Sequence, residues 1–410
     1  MIDKTFCIVP WYEVHINADG TYHSCGAQPN KISGTMDAQK YNVHNMSIDE
    51  WVLSQHQNIT RHNKISGIYD ALCGMCYHEE SIGSVSKRIR ENLKNNIHPL
   101  YFHKTFDKQY FNNFQAKINS YHISLGNECN LACKFCGPTA SSKIAVAEIK
   151  AGNYTGPARM NWTENENTWR NVSDTICNTE DLKFVHLIGG ETLLNPRFED
   201  LVDKLIVNNK TDIYIGFTTN GTVFNRKLLE KLNCFRHVDI GVSIECLGTL
   251  NDYIRQGSNT QQVLDNIDLY LQYRRENHVY VTVRPVPSAL SVHTLDDLYR
   301  WCIDRKLDVM TNMLTRPEFL QIKHLPNDVK QKLLTQFSNW SHSEPAPINS
   351  NPRDPNWYKQ HIDNEILAVI QSLQQSNNPS MTKELYSKLQ LWGWLDQPDI
   401  AKYFKTDFKA

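Results

Sequence analysis

Between residues 116 and 320 the apolar positions change rhythm again and again. Short runs dense in Val, Ile, Tyr and Phe, at 121–125, 184–188, 213–218, 238–244, 279–283 and 307–313, read as strands. Between them, stretches such as 197–207 and 261–273 space their apolar residues three and four apart, the period of an amphipathic helix. Strands alternating with helices predict an α/β fold, a parallel sheet with its helices outside it. Six such units predict a partial (β/α)6 TIM-like barrel, on which chemistry sits at the C-terminal ends of the strands. This core, 116–320, is expected to follow a small N-terminal domain, 1–115, and to precede a helical C-terminal extension, 321–410. In the extension Ile362, Ile366, Ile370 and Leu373 recur at helical spacing and predict a helix packed on the barrel. A proline-rich stretch at 344–355 marks the start of that tail.

Charge narrows the partners. The 410 residues hold 43 basic and 44 acidic side chains, a formal net charge of −1. That balance argues against a protein that coats nucleic acid or an anionic membrane. RNA modification is disfavoured for the same reason, with no basic module in view. No apolar segment at the start reads as a signal peptide, and no run reaches the length of a membrane span, so a cytoplasmic chain is expected. Thiols stay reduced there, which makes clustered cysteines metal or catalytic groups rather than disulfides. Seven of the 11 cysteines fall into two groups. Cys177, Cys234, Cys246 and Cys302 lie outside both and read as small buried hydrophobes.

The first group follows the first predicted strand: Cys129, Cys133 and Cys136, spaced C-x3-C-x2-C. Three thiolates in one loop can wrap one face of a cubane cluster and leave one iron open, because no fourth cysteine lies nearby. Soft thiolates select zinc or iron–sulfur clusters, and a zinc knuckle with a distant fourth ligand is the alternative. Phe135 precedes the third cysteine and Gly137 follows it. With these neighbours the segment resembles the radical S-adenosylmethionine (SAM) superfamily, and the likeness runs to about residue 316.

The resemblance implies a [4Fe–4S] cluster on the three cysteines, catalytic in the sense that its open iron chelates the methionine end of SAM. It also implies reductive cleavage of SAM to a 5′-deoxyadenosyl radical, which removes hydrogen from a substrate. Gly189-Gly190-Glu191, after the second predicted strand, looks like the family's motif for the SAM amino group, with Thr192 where proline is usual. Two glycines there let backbone approach a ligand without side-chain clash. Thr219 and Asn220 after the third strand resemble the pocket lining. Ser243 resembles a contact to the SAM ribose or carboxylate, and Arg255 a partner of the carboxylate, a charge-assisted contact. Glu245 stands where aspartate is commoner, and Arg284 either reaches the pocket or caps the barrel.

The second group is Cys7, Cys25, Cys73 and Cys76. Asp19-Gly20 between alternating residues signals a hairpin, and Ser47 with Glu50 reads as a capping box that starts a helix. Hairpin, helix and the C-x2-C pair can converge four thiolates on one centre, a zinc site or a [4Fe–4S] cluster; spacing alone favours neither. Cys7-x-x-Pro10-Trp11, the Asp-Gly hairpin, Cys73-x-x-Cys76 and Glu80-x-x-Gly83-x-x-Ser86-x-Arg88 resemble a twitch domain, the half-size relative of the SPASM domain, here placed before the barrel. The likeness implies a second, auxiliary [4Fe–4S] cluster for electron transfer or cavity shaping. It further implies an oxidoreductase-type enzyme acting on a peptide or small-molecule substrate, supplied with electrons by a flavodoxin or ferredoxin. The competing reading is a non-enzymatic binding protein stabilised by zinc.

Overall fold

The computed structural model describes residues 5–27, 36–81, 85–94, 116–273, 279–340 and 357–394. The proline-rich stretch at 344–355, Gly83 and the expected boundary near residue 115 lie outside them.

The chain opens with a hairpin, β1 (Glu13–Ile16) and β2 (Tyr22–His23), whose turn is closed by Gly20 at φ +81°. Then come β3 (Ser120–Ser124), β4 (Ala132–Cys133), β5 (Phe184–Ile188), β6 (Tyr214–Thr219), β7 (His237–Val242), β8 (Arg255–Gln256), β9 (Val279–Val283) and β10 (Asp308–Val309). Strands β3, β5, β6, β7, β9 and β10 pair in parallel in their chain order. The hairpin adds to the same sheet, because β1 runs parallel to β3 with His15 opposite His122. The N-terminal and middle zones therefore share one eight-stranded sheet.

Sequential parallel strands joined by right-handed crossovers send every connecting helix to one face. That face is apolar: Val14, Ile16, Tyr121, Ile123, Val185, Leu187, Ile215, Phe217, Val238 and Ile240 join one core with residues of the helices Glu166–Asn178, Arg197–Val207 and Thr260–Gln272. The alternate residues point the other way. They include Glu13 and His15, His122, His186, Gly216 and Thr218, Asp239 and Thr282, beside the apolar Phe184 and Ile188 of β5. A parallel sheet covered on both sides is apolar on both. Here one side is polar.

Two expected elements differ. The strand at 307–313 shrinks to two residues, since the Thr311 N–H leaves the ladder for the Glu365 carboxylate of the tail helix Trp357–Gln374 at 2.7 Å. Cys234 is exposed, whereas Cys177, Cys246 and Cys302 are buried as expected. Within the tail, Ile366 and Leu373 join the main core and Ile370 packs against it; the side chain of Ile362 lies outside the described residues. Among the described residues no helix is long and apolar enough to cross a membrane.

Candidate active site

The three-cysteine loop begins where β3 ends. Asn127, fully buried, fixes its entrance: the side-chain amide donates to the carbonyls of Pro138 (2.9 Å) and Ala158 (3.2 Å), and its oxygen accepts from the Met160 N–H at 2.8 Å. The stretch 158–160 is thereby tied to the loop. Further along, β4 carries Cys133 and pairs antiparallel with β8, so that Cys133 stands opposite Arg255. This two-stranded ladder anchors the middle cysteine to the segment that follows β7. Cys133 is buried, and Cys129 and Cys136 are half-buried. A hydrogen bond with Cys136 and the nearby Arg255 pull the Cys133 thiol below its ordinary range, against burial. Phe135 is half-buried against the core. Within the loop, the Lys134 ammonium sits 5.2 Å from both the Tyr253 and Trp392 ring centres, and the Tyr253 hydroxyl donates to the Trp392 carbonyl.

Gly189, Gly190 and Glu191 meet this loop backbone to backbone. The Gly190 N–H donates to the Gly126 carbonyl at 2.9 Å, and the Glu191 N–H to that of Glu128 at 2.7 Å. Gly189 adopts φ +151°, and a Cβ on Gly190 would overlap the Glu128 carbonyl. The close approach that needs the glycines is thus made to the cysteine loop. The buried Glu191 carboxylate accepts from Thr219 Oγ1 (2.7 Å), the Asn220 N–H (2.6 Å) and the Leu193 N–H (3.1 Å). Burial raises its pKa and these donors oppose the rise. Asn220 donates in turn to Asn130 Oδ1 at 2.8 Å, within the cysteine loop, and Asn130 donates to Thr222 Oγ1 at 2.8 Å. The expected residues of three strand ends are therefore one hydrogen-bonded unit, joined by an Asn130 that the motif reading passed over.

Half-buried Ser243 continues β7, its N–H donating to the Thr219 carbonyl at 2.9 Å. Arg255 is taken by a partner within the chain, the fully buried Glu245, at 2.8 Å. The second Glu245 oxygen accepts from the Val286 N–H at 2.6 Å. Burial pushes the Glu245 carboxyl up to about 7, against the pull of Arg255. Arg255 keeps its Nε–H without a partner among the described residues.

Residues 123–306 match the radical SAM superfamily. This segment is a radical SAM domain. Among curated proteins the chain is similar to the GTP 3′,8-cyclase of Aliarcobacter butzleri (strain RM4018), 25% identical over 154 residues. The match takes in 38% of this chain and 42% of the cyclase, so the chain spans less than half of that relative's length. Among solved structures, native anSMEcpe with bound AdoMet aligns at 17% identity over 54% of this chain and 60% of its own, with TM-score 0.41. Streptococcus suis SuiB bound to S-adenosylmethionine aligns at 16% over 71% and 59%, with TM-score 0.40.

The polar face of the sheet, to which His122 and, from the radical SAM domain, His186, Thr218, Asp239 and Arg284 belong, was not anticipated as a unit. His15, His122 and His186 stand side by side across β1, β3 and β5. Glu13 bridges Lys87 (2.5 Å) and His122 (3.3 Å); His186 meets Thr218 Oγ1 at 3.1 Å. Arg284 donates to Thr218 (3.0 Å) and Asp239 (2.7 Å), so it serves this face rather than an end of the sheet. Burial and neighbouring cations hold His186 and His122 below the usual imidazole range and His15 down at about 3. The signal was legible: in 13–16, 120–124 and 184–188 a histidine stands between apolar residues at the same alternating position.

The four N-terminal cysteines line one small pocket, together with Lys64 and Arg88. Cys7 and Cys76 are buried, Cys25 and Cys73 half-buried. Burial raises all four thiols, Cys25 to about 12. Among the described residues no three His, Cys, Asp or Glu side chains form a group close enough to hold a single ion. The helix Lys87–Lys94 positions Cys7: Asn92 accepts from the Ile8 N–H (3.0 Å) and, with Arg88, donates to the Phe6 carbonyl. Ser86 (2.5 Å) and Arg88 also donate to Glu80, so three residues of the expected motif are one hydrogen-bonded set.

Proposed function

We propose that this chain is a radical SAM enzyme with two [4Fe–4S] clusters. The observation that carries the reading is the join just described: a three-thiol loop bonded to Gly189–Glu191 and, through Asn130, to Asn220. The donor set suits the group, since three soft sulfur ligands from one loop leave an iron position free for a co-substrate. When bound, that cluster supplies the electron that cleaves SAM to methionine and a 5′-deoxyadenosyl radical.

The chain's own residues bind and orient. Gly189, Gly190 and Glu191 present the end of β5 to the methionine amino group. Glu191 fixes Thr219 and Asn220 as pocket walls, and Ser243 meets the ribose or carboxylate. The free Nε–H of Arg255 faces the carboxylate while Glu245 holds the guanidinium in place. The sheet forms a partial barrel whose polar face lines the substrate cavity. Rows of imidazole, Thr218 and the Arg284–Asp239 pair suit a polar peptide or small molecule, since buried polar groups need partners. Cys7, Cys25, Cys73 and Cys76 hold an auxiliary cluster in a twitch-like N-terminal domain, closed to substrate because four thiolates occupy every iron. Electrons come from a flavodoxin or ferredoxin.

The test is anaerobic purification, metal analysis, and reduction with dithionite in the presence of SAM. About eight irons per chain and 5′-deoxyadenosine release are expected. A colourless protein containing zinc would overturn the reading in favour of a metal-stabilised binding protein.

A further inference from the structure

A buried lysine is uncommon and calls for partners. Lys64, in the last turn of the helix Gln55–Ser66, is 1% exposed and sits in the wall of the four-cysteine pocket. Its ammonium donates to Cys73 Sγ at 2.8 Å, while its nearest carboxylate, Asp70, stands farther off at 3.7 Å. Asp70 is held there by the chain, because its other oxygen caps the turn Ala71–Cys73 by accepting from the Leu72 N–H at 2.9 Å. The pocket's neighbouring cations are engaged elsewhere: Arg88 with Glu80, Lys87 with Glu13. Lys64 instead donates directly to a thiol sulfur.

Hydrogen bonds to the sulfurs and nearby net charge are the levers by which a protein sets the potential of an iron–sulfur cluster. Adding one electron puts more negative charge on the thiolate cage. A cation at hydrogen-bond distance in a buried site then stabilises the reduced form more than the oxidised one. We propose that Lys64 is a positioning residue that raises the reduction potential of the cluster on Cys7, Cys25, Cys73 and Cys76 through a charged hydrogen bond to the Cys73 sulfur. This rests on the reading that those cysteines hold such a cluster.

The experiment uses the full chain with Cys129→Ser, Cys133→Ser and Cys136→Ser, which leaves one cluster to observe. Dithionite titration followed by electron paramagnetic resonance gives its midpoint potential. Lys64→Met should make the reduced form about tenfold scarcer at a fixed poise, a shift of about 59 mV to more negative potential for a one-electron couple. Lys64→Arg should stay near the parent, and Lys64→Gln, which keeps a neutral donor, should fall between. The Gln variant also decides the matter if the Met variant does not hold iron. Iron retained with an unchanged potential in the neutral variants overturns the role of Lys64 alone. A parent without iron overturns the cluster reading and this inference with it.

Discussion

The two cysteine sites are built in opposite ways. Cys129, Cys133 and Cys136 come from eight consecutive residues and are steered by backbone: the β4–β8 ladder and the carbonyls of Gly126 and Glu128. Cys7, Cys25, Cys73 and Cys76 come from three separate segments that meet beside Lys64 and the helix Lys87–Lys94. On the proposed reading, the local site would leave a coordination place open to an incoming molecule. The assembled site surrounds its centre with thiols and cations. The difference teaches that the first depends on loop geometry and the second on tertiary packing.

The widest separation should come from cysteine replacement. Cys133→Ala should abolish 5′-deoxyadenosine formation while about four irons remain; Cys73→Ala should lose those other irons and still cleave SAM. Full substrate turnover in the second variant would remove any redox role for the auxiliary site. Next in size, Glu245→Gln leaves Arg255 buried without its carboxylate and should cost about 3–5 kcal/mol in urea unfolding.

Acid should act through the histidine face. His15, His122 and His186 have folded pKa values below the unfolded 6.5. The unfolded chain therefore binds more protons than the folded one once pH drops below about 6.5, and stability present above that value is lost. The loss is up to ~1.4 kcal/mol per pH unit for each imidazole, down to about pH 3 for His15. His186→Gln should flatten the slope between pH 6.5 and 4.5 in thermal unfolding scans; an unchanged slope would remove His186 from the account. The smallest effect is steric. Gly190→Ala should cost about 1–3 kcal/mol by pressing on Glu128, whereas Gly137→Ala, whose Cβ would meet nothing within 4 Å, should be silent.

Motif and periodicity carried the strands Phe184–Ile188 and Val279–Val283, the helix Arg197–Val207, the capping box at Ser47 and the hairpin at Gly20, because each is decided by residues close in sequence. What lay beyond reach was decided across the chain. β1 joins the main sheet through its register with β3, whose paired residues, Glu13 with Ser120 to Ile16 with Ile123, lie 107 apart in sequence. Asn130 and Lys64 look like ordinary surface residues until Asn220 and Cys73 are placed beside them. The sequence resemblance assigns Arg255 to a ligand carboxylate and leaves Glu245 without a role, since nothing in their spacing reveals that they face each other.

Lys134 lies between the last two cysteines of the loop, and its ammonium is gripped by aromatic rings, one of them Trp392 from the far end of the described chain. The turn at Trp392 is therefore packed against a side chain of the cysteine loop. If the loop holds the proposed cluster, a truncation that removes Trp392 should loosen its grip on Lys134, and such protein should bleach in air sooner than the intact chain.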